Sequence, residues 1–470
     1  MAAVHISPYR GRWYPDGAAE LEALLEEKDA ESRRRIGEWL PGGLGFVVPH
    51  AGPAYSGTVA AAVYRTLGQQ RAERIVMLAF PHHGVLHGVA VPDVQAIATP
   101  LGEQPIDGRF AHDFRTMSES RLCDHSFEIQ LPFLQRSVPR SVVTPLYVGH
   151  LTVQERDQAA RVLAASWQPG TVFLASSDFT HYGREFGHLP FPTDRHTEDR
   201  LRDLDFEYLE AAGCLDAERF LETVKRHEGT VCGTGPIALM LAVLRRLDES
   251  IYPSTLDYQT SGELTADWHH SVSYAALGFH PSSAFSLGAE DCRALLDSAA
   301  ETLCRLRLEG NQNGVPPRGG SPALQMKRGA FVSLHRGEEL LGCIGNLAGR
   351  DPLAKEIGNL ALAAALDDPR FRPATSGTGP IDIEVSVLTP FRRIHSATEF
   401  CIGRHGAFLK LEGRSGLLLP QVAEGRDWTA EDFIRAVERK SGLWKDAWRD
   451  PQAKLYVFEA QVFSRKNAVS

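Results

Sequence analysis

Residues 44–57, LGFVVPHAGPAYSG, set a short apolar run, Gly45 to Val48, directly before Pro49 and His50. Two other stretches repeat that arrangement. The run Arg74 to Phe80 ends at Pro81 and the pair His82-His83, and Thr171 to Ala175 leads through Ser176-Ser177 to Asp178 and His181. Unbroken apolar runs of about four to eight residues read as strands buried on both faces, as in parallel sheets covered by helices. Val142 to Val148 is a fourth such run. Helical patterns fall between them: Gln154 to Trp167, opened by Thr152 and Glu155 at capping-box spacing, and Ile237 to Leu247, introduced by Pro236. The segment from Gly43 to His280 is therefore expected to be α/β with a largely parallel sheet.

In such a sheet the carboxyl ends of the strands form the crevice where ligands bind. Three strands deliver His50, His82-His83 and Asp178/His181 to that edge. Cys232 stands just before the helix start at Gly235-Pro236, where a helix N-terminus lowers a thiol pKa and favours a metal-binding thiolate. Two imidazoles and a thiolate suit iron, copper or zinc and leave coordination positions open. Taken singly, a strand-end histidine or a buried cysteine is more often structural; the joint arrangement favours a site.

Composition narrows the class. Of the 18 histidines, 15 lie at or before His280, so histidine chemistry belongs to the first part. The seven cysteines are odd in number and scattered without a CxxC pair, which disfavours a disulfide framework or a zinc ribbon. A formal charge of −9 gives no general attraction to nucleic acid or anionic lipid, although folded RNA stays open as a substrate. The opening residues lack the apolar core of a signal peptide and no apolar run reaches about 18 residues, so a cytoplasmic protein without a membrane span is expected.

The pattern lapses into turn formers around residues 280–288 and restarts with a helix, Cys292 to Leu308, followed by a loop, Gly310 to Pro322. This sets the expected domains at 1–281 and 291–470, with 282–290 as linker. The second part reads as α+β: a hairpin of Phe331 to Leu334 and Glu339 to Ile344 about Arg336-Gly337, an alternating strand at Ile381 to Val387, and a helix started by Thr429/Asp432 and ended by Gly442.

The blocks LGFVVPHAGPAYSG (44–57), FPHHG (80–84), DHSFEIQLPFL (124–134), SSDFTHYG (176–183), VCGTGPI (231–237) and WHHSVSYA (268–275) resemble the successive signatures of the Memo family. The resemblance implies an extradiol-dioxygenase-like α/β fold with His50, His82 and Cys232 as metal ligands. By the same likeness Asp178 and His181 line the pocket, with His181 as acid/base, and His125 and Glu128 orient a ligand or move a proton. Extradiol dioxygenases use a carboxylate where Cys232 stands, which weakens transfer of ring cleavage. His83 is expected to point away from the metal, since adjacent strand-end side chains diverge.

In the second part, LLGCIGNL (340–347), ALDDPRF (365–371), IDIEVSVLTP (381–390), IGRHGAFL (402–409), GLLLPQVA (416–423) and LYVFEAQVF (455–463) resemble the AMMECR family, with an α+β fold. Leu341 stands where the family's block usually has arginine. Gly342 and Gly345 are expected to permit close ligand approach, Cys343 is a candidate nucleophile with His405 as a distant partner, and Arg404 is a candidate replacement for the arginine. A packed strand cysteine is the commoner role for such a residue.

The two resemblances together point to parts of the AmmeMemoRadiSam system, which implies a radical-SAM protein as partner. The expected function is a metal-dependent oxidoreductase, a non-heme iron oxygenase or hydroxylase, with Fe2+ ahead of copper or zinc and the AMMECR domain binding or presenting substrate. The alternatives are a non-catalytic iron- or copper-binding or protein-interaction scaffold and, third, a zinc hydrolase.

Overall fold

The computed structural model describes residues 4–37, 42–248, 250–374 and 377–469. Its contacts divide the chain into two units, Met1–Ala284 and Phe285–Ser470. The stretch expected as a linker, 282–290, holds a 3-10 turn, Ser282–Phe285, and the first residues of the helix Ala289–Glu309.

The first unit is built on a nine-stranded sheet. At its centre four strands run parallel in the order Gly45–Val48, Thr171–Ser176, Arg74–Ala79 and Val142–Val148. These are the four runs read from the sequence. The flanks join the centre antiparallel: Val89–Asp93 pairs with Val142–Val148 on one side, and His270–Pro281 pairs with Gly45–Val48 on the other.

Successive residues of the central strands feed opposite cores, because side chains alternate across a pleated strand. Val47, Val76, Leu78, Leu146, Val148, Phe173 and Ala175 pack under the helices Val153–Ala165, Thr197–Gly213 and Thr234–Leu247. Phe46, Val48, Ile75, Met77, Tyr147, Val172 and Leu174 pack under Ala18–Ile36 and Pro53–Gln69. The result is a sheet with helices on both faces, which explains the unbroken apolar runs. Thr152 and Glu155 form the expected capping box.

A long hairpin, Ile251–Thr260 with His270–Pro281, was not read from the sequence. Pro253 and Asp257 interrupt its apolar pattern, and Asp257 instead pairs with Arg35 across the fold.

The second unit holds two four-stranded antiparallel sheets. One has the order Glu339–Asn346, Ala330–Arg336, Ile381–Leu388 and Ala460–Val469, and it packs on the helices Ala289–Glu309 and Leu353–Leu366. The other joins Arg392–Ile394, Lys454–Phe458, Gly406–Leu411 and Arg414–Leu418 around its own core with the helix Ala430–Ser441. The hairpin about Arg336-Gly337 and the Thr429/Asp432 capping box lie where the sequence put them. Among the described residues no helix is long and apolar enough to cross a membrane.

Candidate metal centre

His50 follows its strand through Pro49, and its ring is held on one side: Nδ1 lies 2.9 Å from Ser176 Oγ. Its backbone N–H donates to Asp178 Oδ1 at 2.8 Å, which ties the ends of two neighbouring strands together. His82, on the loop after Arg74–Ala79, has Nδ1 2.9 Å from Asp124 Oδ1. In both rings the engaged Nδ1 leaves Nε2 as the nitrogen available to a cation, the arrangement that orients metal-binding histidines.

His125 opens the short helix His125–Glu128, with Asp124 as its N-cap accepting from Ser126 N at 2.9 Å. The His82 and His125 rings lie 4.1 Å apart between centroids, and each is about 5 Å from His50 (5.2 and 5.3 Å). One ligating nitrogen from each of His50, His82 and His125 falls within 4.8 Å of the other two. The set of mutually close donors therefore includes His125, which the sequence reading had given a supporting role.

Cys232 joins through His50, with Sγ 3.1 Å from His50 Nε2. Its loop can reach the strand end because the next residue is Gly233, where a Cβ would stand 2.4 Å from Ser176 O. The expectation of a lowered thiol pKa is corrected. Burial, reinforced by the Asp178 charge, pushes the Cys232 thiol well up, against hydrogen bonds from the Asp178 and Gly233 backbone. The residue precedes the N-cap of the helix Thr234–Leu247, so desolvation outweighs the helix dipole.

Desolvation governs the histidines too. Burial holds His50 well below the ordinary imidazole value, with the charges of His125, His82 and His181 acting in the same direction. Burial brings His125 to about 4, although Asp124 opposes it. Both rings are neutral near neutrality, as ligands must be. Asp124 behaves oppositely: burial would raise its carboxyl, but the His82 hydrogen bond and the His125 and His82 charges hold it below the usual range.

His181 stands on the strand His181–Gly183 and is oriented by backbone carbonyls. Its Nδ1 lies 3.0 Å from Phe179 O and 3.2 Å from Thr230 O. Since carbonyls only accept, Nδ1 carries a proton. Asp178 is engaged with the His50 backbone, and burial raises its carboxyl pKa. His83 is largely exposed, as expected of the outward member of the pair. Glu128 is fully buried and lies 3.0 Å from His5 Nε2.

Two features escaped the sequence reading. Asp124 serves His82, His125 and the helix cap at once; its place directly before a short helix, two residues ahead of Ser126, was the available signal. Trp13 and Tyr9 set aromatic rings against His125, at centroid distances of 4.7 and 5.8 Å. Their clustering in the polar stretch PYRGRWYP was the corresponding hint.

The second unit brings its candidates together less fully. Cys343 lies on a paired strand; Ser333 Oγ donates to its sulfur at 3.2 Å, and its N–H donates to Asp368 Oδ2 at 2.9 Å. Gly342 and Gly345 serve packing, not ligand approach: a Cβ on Gly342 would stand 2.0 Å from Ala364 O, and one on Gly345 2.2 Å from the Phe331 ring. Leu341 is buried in the core, which accounts for an apolar residue there. Arg404 does not replace the arginine, since its guanidinium is paired with Glu459 at 2.7 Å. Arg370 stands beside Cys343, donating to Cys343 O and pairing with Asp368. His405 Nδ1 accepts from Cys401 N at 3.0 Å, a structural engagement in the other sheet.

Residues 8–278 match the family described as Memo-like protein, and residues 296–463 match AMMECR1. A MEMO1 family protein of Methanosarcina acetivorans is 34% identical over 281 residues, covering 57% of this chain and 96% of the relative. The memo-1 homolog of Caenorhabditis elegans is 28% identical over 293 residues, 58% of this chain and 82% of the relative. A Methanopyrus kandleri protein is 42% identical over 153 residues, 30% of this chain and 74% of the relative. With a pocket of histidines at the strand ends and this match across more than half its length, the chain belongs to the Memo-like protein family and carries an AMMECR1 domain in the same polypeptide.

Proposed function

We propose that the chain is a metal-dependent oxidoreductase of the non-heme iron type, acting in the pocket of His50, His82, His125 and Cys232. The observation that carries this reading is the convergence of three imidazoles within 4.8 Å, with a thiol 3.1 Å from one of them. The donor chemistry fits: nitrogen and sulfur suit iron or copper, and Ser176 and Asp124 orient His50 and His82 with Nε2 free. His50 and His82 are the anchors, and Cys232 and His125 flank them as further donors. Iron held there would supply one-electron exchange and polarisation of a bound substrate.

The chain's own side chains do the remaining work. Asp124 fixes the His82 tautomer, and His181 offers Nε2 as a proton acceptor because its Nδ1 proton is committed to carbonyls. Trp13 and Tyr9 give one wall of the pocket an aromatic surface suited to a planar substrate. The strand-end histidines on a helix-covered sheet support an extradiol-dioxygenase-like reading of the first unit. The AMMECR1 domain binds or presents the substrate, with RNA and a radical-SAM partner as the classes to test.

Anaerobic reconstitution with Fe(II), followed by oxygen-uptake measurement in the presence of folded RNA or a small-molecule extract, tests the reading. Uptake that needs both iron and substrate, and that is lost in His50→Ala, is expected. Tight copper binding with no uptake on any substrate would replace catalysis with metal sequestration.

A further inference from the structure

The segment that carries Asp124 and His125 has a second cluster of donors on its other residues. Cys123 precedes it and Glu128 closes it, and both meet His5 from the N-terminal strand Val4–Ile6. One donor atom from each of His5, Cys123 and Glu128 lies within 4.8 Å of the others. His5 Nε2 is 3.0 Å from Glu128 Oε1, and His5 Nδ1 stands 3.8 Å from Glu119 Oε2, beyond hydrogen-bond distance.

A plain His5–Glu128 ion pair would account for only half of the carboxylate. The Glu128 side chain is fully buried, and its second oxygen, Oε2, has no hydrogen-bond partner. A buried carboxylate oxygen without a donor costs free energy that folded proteins rarely leave uncompensated. A cation touching that carboxylate and the Cys123 sulfur would remove the deficit.

We propose that His5, Cys123 and Glu128 form a second binding site for a divalent cation of the zinc class, separate from the histidine pocket. One nitrogen, one sulfur and one oxygen donor suit a borderline cation and leave a position for water. The carboxylate and a thiolate carry two negative charges, which balance a divalent cation in a buried place. Binding displaces the Cys123 thiol proton and the proton shared by His5 Nε2 and Glu128 Oε1, so it releases protons and weakens on acidification. The bound cation pins both ends of the segment from which Asp124 orients His82 and His125 faces the first pocket, making the second site a positioning device for the first.

Cobalt(II) reads the site directly, since a cobalt–thiolate bond absorbs in the near ultraviolet. In the full chain carrying Cys232→Ser, added Co2+ is expected to give that band, and the further change Cys123→Ala is expected to abolish it. A band that is missing in Cys232→Ser, or that persists undiminished without Cys123, overturns the proposal. His5→Gln provides a check that leaves the buried carboxylate in place. Competition with a chromophoric chelator is expected to show loss of one zinc equivalent, by more than about tenfold in affinity, with the histidine pocket still loaded. Unchanged zinc stoichiometry and affinity in His5→Gln would contradict the site, whatever metal the first pocket holds.

Discussion

Asp124 is the residue on which the candidate metal pocket turns. It accepts from the His82 backbone and ring, stands 3.3 Å from His125 Nδ1, and caps the helix that begins at His125. Asn is as good an N-cap as Asp, so Asp124→Asn keeps the helix start and removes the charge that holds His82. Metal affinity is expected to fall by about 10–100-fold with an unchanged circular-dichroism spectrum, measured by chelator competition. In the second unit, burial and the charges of Arg392 and Arg404 bring His405 from 6.5 to about 3. Its folded value is depressed, so the unfolded chain binds the extra proton, and the stability from the neutral ring is full above pH 6.5 and is lost as pH falls toward 3. The loss amounts to roughly 3–6 kcal/mol across that window. Denaturant midpoints from pH 7 to pH 4 should therefore fall more steeply in the wild type than in His405→Asn. His50, His82, Cys232 and His181 were legible because strand ends and a helix start announce them. The family resemblance put His125 at the site in a supporting role; its closeness as a third imidazole and the Asp124 carboxylate beside it were not legible, because the 124–128 segment is too short to show a period and its position depends on tertiary contacts.

At the scale of elements, the four parallel strands were legible for a physical reason: burial on both faces leaves no polar alternation to blur the runs. The hairpin Ile251–Thr260/His270–Pro281 was hidden because its polar residues answer to partners elsewhere, as Asp257 does to Arg35. Close packing of the strand Glu339–Asn346 on the helix Leu353–Leu366 rests on Gly342, whose missing Cβ makes room for Ala364 O. Gly342→Ala is expected to destabilise the second unit by about 1–3 kcal/mol, because backbone must move to admit the methyl group. Equilibrium denaturation measures this, and a neutral effect would show that the strand and helix part freely. Thr152→Ala removes one half of the capping box on Val153–Ala165 and is expected to cost about 1 kcal/mol by the same measurement, with metal content unchanged.

For the whole molecule, each of the two units buries its own cores, and all the pocket donors come from the first. A chain ending after Ala284 is therefore expected to bind metal with the stoichiometry of the full protein, and loss of metal on truncation would tie the pocket to the second unit. Composition foretold this division of labour, since nearly all the histidines precede the boundary. What composition and spacing left open was which donors meet, because that depends on how loops from separate strands converge. The most direct test of the central claim is the iron content of the full protein reconstituted and desalted without oxygen, beside that of the variant carrying both His50→Ala and Cys232→Ala. The account predicts iron retained by the wild type and lost from the variant, with both chains folded; full retention of iron by the variant would contradict it.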